Sequence, residues 1–411
     1  MTDTSLKKIT AREILDSRGF PTIEVELEAG SKKVIVSVPS GTSTGRYEAL
    51  ELRDGGERYQ GMGVLEAIKN INETIFPALI GGDLTAQKEL DKILIDLDGT
   101  DNKSRLGANA ITAVSLAACR AGAAIQKKPL WKWISEIART DPSLPTPCIL
   151  FIEGGLHGKG GLDTQEIMVL LEADSFKEKL RLSTEVYHNL GKLLEKKYGK
   201  ISASVGLEGA FTPIITETEE ALDMILKAVK ESGYQKDVRF ILDMAANSFY
   251  QDEKYFFEGD ILTREKIQKY YLNLCQKYPI VAIEDPFSEE DWQGFKELTE
   301  KIGGKATIIG DDLLATNPKR IEMAVERKAC NGLILKPNQI GTVTETITAA
   351  KYAMSNNWKV FVKHRSGETK DDFIADLAVG LGTGYIMAGA PTRGERVAKY
   401  NRLLKIEEEL K

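Results

Sequence analysis

The sequence predicts an α/β protein: a (β/α)8-type barrel preceded by a smaller α+β block. Three observations carry this. Short apolar runs ending in a charged or polar residue recur at Val238–Asp243, Ile280–Glu284, Thr307–Asp311, Gly332–Lys336 and Val360–His364, and the last four end 25–28 residues apart. That interval is the length of one strand, one helix and two short loops. No G-x-G-x-x-G follows a strand, which weakens a doubly wound dinucleotide-binding sheet and leaves the closed barrel. Before residue 140 the pattern is different, with strands first and helices afterwards.

In chain order, Thr22–Leu27 and Lys33–Val38 alternate around Ala29-Gly30-Ser31 and read as a β-hairpin. Val64–Ile75, Asp83–Leu97 and Ala108–Ile125 have helical spacing and length. Pro142, Pro145 and Pro147, three of the chain's 13 prolines, then interrupt regular structure. A boundary is placed there, giving an N-terminal domain over 1–139 and a barrel over 140–411. Beyond it the apolar runs recur with a helical stretch between copies, as repeated βα units do.

A chain of 411 residues, 42% hydrophobic and 28% charged, has the composition of a folded globular protein with a substantial core. With 55 Lys+Arg against 61 Asp+Glu the net charge is −6, which argues against nucleic acid as a partner. Four widely separated cysteines form no zinc spacing and suit reduced thiols. The first residues lack a secretory h-region, and Ala108–Ile125 contains Asn109 and Arg120, so the expectations are a cytoplasmic location and no membrane partner.

In a barrel the carboxyl ends of the strands share one mouth. That mouth would collect Asp243, Glu284, Asp311, Lys336 and His364. A solvated loop starter explains any one of them; five in succession point to a site. Three carboxylates without cysteine or a histidine pair need a hard cation, and oxygen ligands favour Mg²⁺. Lys336 has no lone pair for a metal while protonated, and beside a dication its pKa falls, so it is the candidate base. Arg365 and Ser366, in His-Arg-Ser-Gly-Glu-Thr, suit a phosphate or carboxylate, or else form a polar loop with a helix cap. Glu208, in Val-Gly-Leu-Glu-Gly at the end of another apolar run, and Glu166, after a glycine-rich loop, form a carboxyl pair sharing a proton or two separate surface-loop acids. His188 reads as structural, and Ser40–Gly45 reads as a mobile lid rather than a P-loop. The chemistry indicated is metal-assisted proton abstraction beside a carboxylate, that of a lyase or racemase.

The segments Ile-Leu-Asp-Ser-Arg-Gly at 14–19, Ser40–Gly45, Glu-Ala-Leu-Glu-Leu-Arg-Asp-Gly at 48–55, Leu-Gly-Ala-Asn-Ala at 106–110, Ile-Glu-Asp-Pro at 283–286, Gly-Asp-Asp-Leu at 310–313, Lys336 with Asn338–Gly341, His364–Thr369 and Arg396–Leu410 resemble the enolase family. The resemblance runs nearly end to end. It implies an N-terminal α+β domain capping a modified barrel, a homodimer, and reversible dehydration of 2-phosphoglycerate, a small phosphorylated carboxylic acid. It also implies two Mg²⁺ per site, the second arriving with substrate. Asp243, Glu284 and Asp311 match ligands of the first ion, and Ser43 lies in the loop that closes on the second. Lys336 matches the base, Glu208 the acid and Glu166 its neighbour. His157, Gln165 and His364 match substrate contacts, with Arg365 and Ser366 at the phosphate.

Several positions depart from that pattern. The family lysine on the last barrel strand is Met387 here, the Asp before the catalytic Glu is Leu207, and the Asn before Gly-Gly is Glu153. Lys363 and Lys159 are candidates to replace the missing charge, Lys363 the better one as a substrate contact, unless it is an exposed strand-end lysine. Three functions follow: an enolase with a rebuilt carboxylate pocket; an enolase-like lyase for a related phosphorylated or phosphonate hydroxy acid; and a non-catalytic binding homologue, which the intact Lys336, Glu208 and carboxylates argue against.

Overall fold

Strand β1 (Leu6–Leu15) pairs antiparallel with β2 (Pro21–Ala29), and β2 with β3 (Lys32–Ser37). A computed structural model describes residues 3–42, 45–234 and 238–411. Gly30, at φ 55°, makes the β2–β3 turn in a conformation that favours glycine. β1 adds a strand to the expected hairpin. Its Lys7, Lys8, Arg12 and Glu13 blur the alternation, as charges on a sheet edge do.

The helix Ala108–Ile125 forms with the expected bounds and is buried along nearly its whole length, packing on β2 and β3. Its apolar character belongs to a protein core. The helix expected from Val64 runs from Leu65 to Leu79 with a π-helical stretch at Asn70–Ile75. The one expected from Asp83 begins only at Gln87, because the Asp83 carboxylate accepts the Thr85 N–H at 2.9 Å and holds a turn there.

The second half closes an eight-stranded barrel. Its strands are β4 (Thr146–Glu153), β5 (Glu166–Leu171), β6 (Val238–Asp243), β10 (Ile280–Glu284), β11 (Thr307–Gly310), β12 (Gly332–Leu335), β13 (Lys359–Lys363) and β14 (Gly384–Met387), with β14 returning to β4. A small sheet of β7 (Tyr250–Gln251), β8 (Lys254–Phe257) and β9 (Asp260–Leu262) is inserted after β6. Helices alternate with the later strands, several opened by side-chain caps such as Thr263, Asp291, Asn317 and Thr342.

The barrel is not the uniform parallel repeat that the spacing suggested, because β5 runs antiparallel to both β4 and β6. The connection from Gly154 to Gln165 contains no helix to carry the chain back to the other end, so the strand returns directly. The run ending at Glu208 is likewise a loop rather than a strand, tied down by single bridges from Val205 and Ile152 to Phe211.

The N-terminal domain reaches over the barrel mouth. Ser40 and Gly367 exchange backbone hydrogen bonds at 2.8 and 2.9 Å, joining the segment after β3 to the loop after β13.

Candidate active site

Because β5 is reversed, its first residue lies level with the last residues of its neighbours. In the register Glu153 faces Glu166, Glu166 faces Asp243, and Asp243 faces Glu284, so four adjacent strands bring acids level with one another at one end of the barrel. On the opposite arc Lys363 pairs with Met387 across β13 and β14.

Lys363 points into a ring of three of these acids. Its Nζ lies 2.8 Å from Asp243 Oδ2, 2.8 Å from Glu284 Oε1 and 3.1 Å from Glu166 Oε2. Burial opposes its charge, but these carboxylates outweigh it and hold the ammonium well above the usual lysine range. Lys159, the other candidate, is exposed on its loop. Lys363, the last residue of β13, is therefore buried and not an exposed strand-end lysine.

Asp311 and Lys336 each lie one residue beyond a strand end and form an ion pair with each other. The other oxygen of Asp311 accepts Gln339 Nε2 at 2.9 Å. Asp311 therefore does not share Lys363's direct contacts with Asp243 and Glu284. Burial alone would lower the Lys336 pKa; Asp311 overrides it and raises it, so the amine is protonated in this arrangement. Asp285, given no role of its own in the sequence, accepts the backbone N–H groups of Asp311 at 2.9 Å and Asp312 at 2.7 Å and fixes that strand end.

Across the mouth, His157 Nδ1 lies between Glu166 Oε1 at 3.6 Å and Glu208 Oε1 at 3.5 Å. Burial and the charge of Glu208 raise the Glu166 pKa, although Lys363 opposes the shift. Burial also works against ionised Glu208, but His364, His157 and Arg396 outweigh it and lower its pKa. Two acids whose pKa values are driven apart hold one proton between them.

The Glu208 loop is held from behind. Glu153 accepts the N–H of Glu208 at 3.1 Å and of Ala210 at 3.0 Å, and a Cβ on Gly206 would meet the Glu153 carboxyl carbon at 2.5 Å. Burial and the charge of Glu208 push Glu153 up to about 8. The departure at Glu153 thus supports the site from beneath rather than lining it.

Arg396, fully buried, was not evident as a site residue. Its Nη1 donates to His364 Nδ1 at 2.6 Å, and its Nη2 donates to Ser366 O at 2.6 Å and Leu207 O at 3.2 Å. A guanidinium only donates, so Nδ1 is the acceptor and the ring proton sits on Nε2, 3.1 Å from Glu208 Oε2. The forewarning was the family-like segment that begins at Arg396; in the structure Arg396 and Lys399, one turn apart on the last helix, are both buried.

Arg365 is gripped by Glu48 of the N-terminal domain, Nη1 to Oε2 at 2.8 Å and Nη2 to Oε1 at 3.2 Å. Ser366 Oγ accepts the Thr42 N–H at 2.8 Å. Ser43 lies outside the described residues, as does Thr44. An inner pocket of about 30 Å³ is lined by His157, Gln165, Glu166, Glu208, Asp243, Asp311, Lys336, Lys363, His364, Arg365 and Ser366. It lies beside an outer cavity of about 520 Å³, which also touches Gln165, Asp243 and Asp311. Glu284, fully buried, sits beneath them.

Two family models match the chain: the enolase C-terminal TIM barrel domain over residues 141–411 and the enolase N-terminal domain over 6–134. The chain belongs to the enolase family. Its domains are those of an enolase or enolase-like lyase. In this enolase fold the carboxylate oxygens of the ring suit a hard cation, and a positive charge already lies 2.8 Å from two of them. Glu284 Oε2 is buried without a hydrogen-bond partner, as are Gln165 Oε1 and Glu166 Oε1, which leaves oxygen acceptors directed into the ring. Asp243 and Glu284, which share Lys363, and Asp311, paired with Lys336, are strand-end carboxylates available to a divalent ion. Two groups of described residues bring possible ligand atoms within 4.8 Å of one another: His157 with Glu166 and Glu208, and Asp285 with Asp311 and Asp312, where Asp285 already accepts two backbone N–H groups.

Proposed function

We propose that this protein catalyses the reversible, Mg²⁺-dependent dehydration of 2-phosphoglycerate to phosphoenolpyruvate. The observation that carries the reading is that Lys336 and the Glu166–His157–Glu208 group line one pocket. A base on one side and a proton-holding pair on the other suit removal of a C2 proton and departure of a C3 hydroxyl. A divalent ion at Asp243, Glu284 and Asp311 would supply the charge that stabilises a carbanion beside a carboxylate, and a second would come with substrate near the Ser43 loop.

The chain's own groups divide the remaining work. Lys336 takes the C2 proton at Nζ once its amine is neutral, which requires weakening its pairing with Asp311. Glu208, with the proton shared by Glu166, protonates the leaving hydroxyl. Arg365 and Ser366 hold the phosphate; Glu48 keeps the guanidinium in place. His157, Gln165 and His364 orient the substrate, and Lys363 supplies the carboxylate-end cation that Met387 lacks. Assembly as a homodimer completes this reading.

Deuterium exchange at C2 of 2-phosphoglycerate, followed by NMR in D₂O with Mg²⁺, separates the two proton transfers. Exchange abolished in Lys336→Ala but kept in Glu208→Gln, with elimination lost in both, is the expected outcome. Exchange unchanged in Lys336→Ala would overturn the assignment of the base. A second reading is favoured by Met387, buried and apolar where the substrate carboxylate would sit: an enolase-like lyase of a related phosphorylated or phosphonate hydroxy acid. Turnover of such an analogue at a higher kcat/KM than 2-phosphoglycerate would select it.

A further inference from the structure

The Lys363 side chain is in an unusual place for a lysine. It leaves the end of β13, is only 4% exposed, and inserts its ammonium among Asp243, Glu284 and Glu166. Two of these three acids are residues that would hold a divalent ion. An ammonium 2.8 Å from both Asp243 and Glu284 occupies the space a metal bound to the same oxygens would need, and two cations so close repel strongly in a buried site.

We propose that Lys363 is an internal occupant of the dication cradle. Its ammonium neutralises the carboxylates when no metal is bound, and it is displaced when a divalent ion enters. The proposal rests on the reading of Asp243, Glu284 and Asp311 as that cradle. Geometry favours the exchange: one ammonium is shared among Asp243, Glu284 and Glu166, so a dication on the same oxygens carries twice the charge that now faces them. The stem favours it too, since a lysine has four rotatable methylenes with which to withdraw. Across the strand pair its neighbour is Met387, which carries no charge to repel a withdrawn ammonium. The inner pocket measures about 30 Å³ with Lys363 in place, so withdrawal also enlarges the space for substrate. Metal binding and substrate binding are thereby linked through one side chain, and metal affinity is lower than the same carboxylates would give alone.

The test is Mn²⁺ binding to the whole protein without substrate, read by the EPR signal of free Mn²⁺, for the wild type, Lys363→Met and Lys363→Arg. Lys363→Met keeps the length and removes the charge; it is expected to bind Mn²⁺ at least about tenfold more tightly. Its metal-free form is expected to melt at a lower temperature than the wild type and to gain more on adding Mn²⁺. Lys363→Arg keeps the charge and is expected to bind no more tightly than the wild type, which separates charge from packing. Equal or weaker Mn²⁺ binding by Lys363→Met would overturn the proposal. Absence of binding in all three proteins would overturn it together with the cradle. Turnover of 2-phosphoglycerate does not enter this readout, so a different true substrate would leave the metal result intact.

Discussion

Arg396 donates through Nη1 to Nδ1 of His364 at 2.6 Å, and this single contact sets which face of the imidazole carries its proton. With Nδ1 accepting, Nε2–H is turned toward Glu208, 3.1 Å away. Arg396 is therefore a positioning residue. Arg396→Met is expected to lower kcat/KM for dehydration by about 100-fold and stability by about 3–5 kcal/mol, since His364 Nδ1 and the carbonyls of Arg365, Ser366 and Leu207 lose their donor. Arg396→Lys, retaining charge without the fork, should recover part of the stability but little of the activity. The pH–rate profile distinguishes positioning from simple loss of structure: removing the guanidinium raises the His364 pKa and moves the acid limb upward.

His364 also makes stability depend on pH. Burial first, with Arg396 adding to it, lowers its pKa from 6.5 to about 4. A histidine held neutral contributes stability that is full above its unfolded pKa and is lost as pH falls through the window from 6.5 to about 4. The loss attributable to it is at most about 3 kcal/mol. Glu166 and Glu284, whose pKa values are raised, tilt the curve the other way, so the difference between wild type and His364→Gln isolates the histidine. Urea unfolding at several pH values should show a shallower acid decline in the variant.

Glu48 and Arg365 join the two domains through a bidentate pair whose side chains are 6% and 3% exposed. Glu48→Ala removes the carboxylate from a buried guanidinium and is expected to cost about 3–5 kcal/mol in denaturant unfolding. The double variant Glu48→Ala/Arg365→Met should be closer to wild type in stability than Glu48→Ala alone, while losing phosphate affinity through a raised KM.

Glu153 carries the Glu208 loop by accepting two backbone N–H groups. Glu153→Met is expected to reduce kcat about 10- to 100-fold with a small change in KM, because the acid is misplaced rather than removed. Glu153→Gln, still able to accept, should lie between. Steady-state kinetics on the three proteins checks the order.

Much of the barrel was legible because each strand is an apolar run closed by a polar residue, and the spacing from Glu284 to His364 is set by a repeated strand–helix unit. The reversed strand β5 was not legible, since periodicity carries no direction; only the short helix-free connection from Gly154 to Gln165 hinted at it. β1 was hidden by its charges. At the site, the residues at strand ends were found, whereas those acting from behind, Arg396, Asp285 and Glu48, were not. Arg396 and Glu48 open family-like segments, but each reaches the site from another element, the last helix and the other domain, so the local pattern does not show what it touches. The direction of Lys363 was open until the structure placed its ammonium among Asp243, Glu284 and Glu166.

The most direct test of the central claim is the absorbance rise of phosphoenolpyruvate from 2-phosphoglycerate with Mg²⁺, using wild-type protein and Lys336→Ala. Turnover by the wild type, reduced by about 10²–10⁴-fold in the variant, is the expected result. No turnover by folded, Mg²⁺-loaded wild-type protein, or equal turnover by Lys336→Ala, would contradict it.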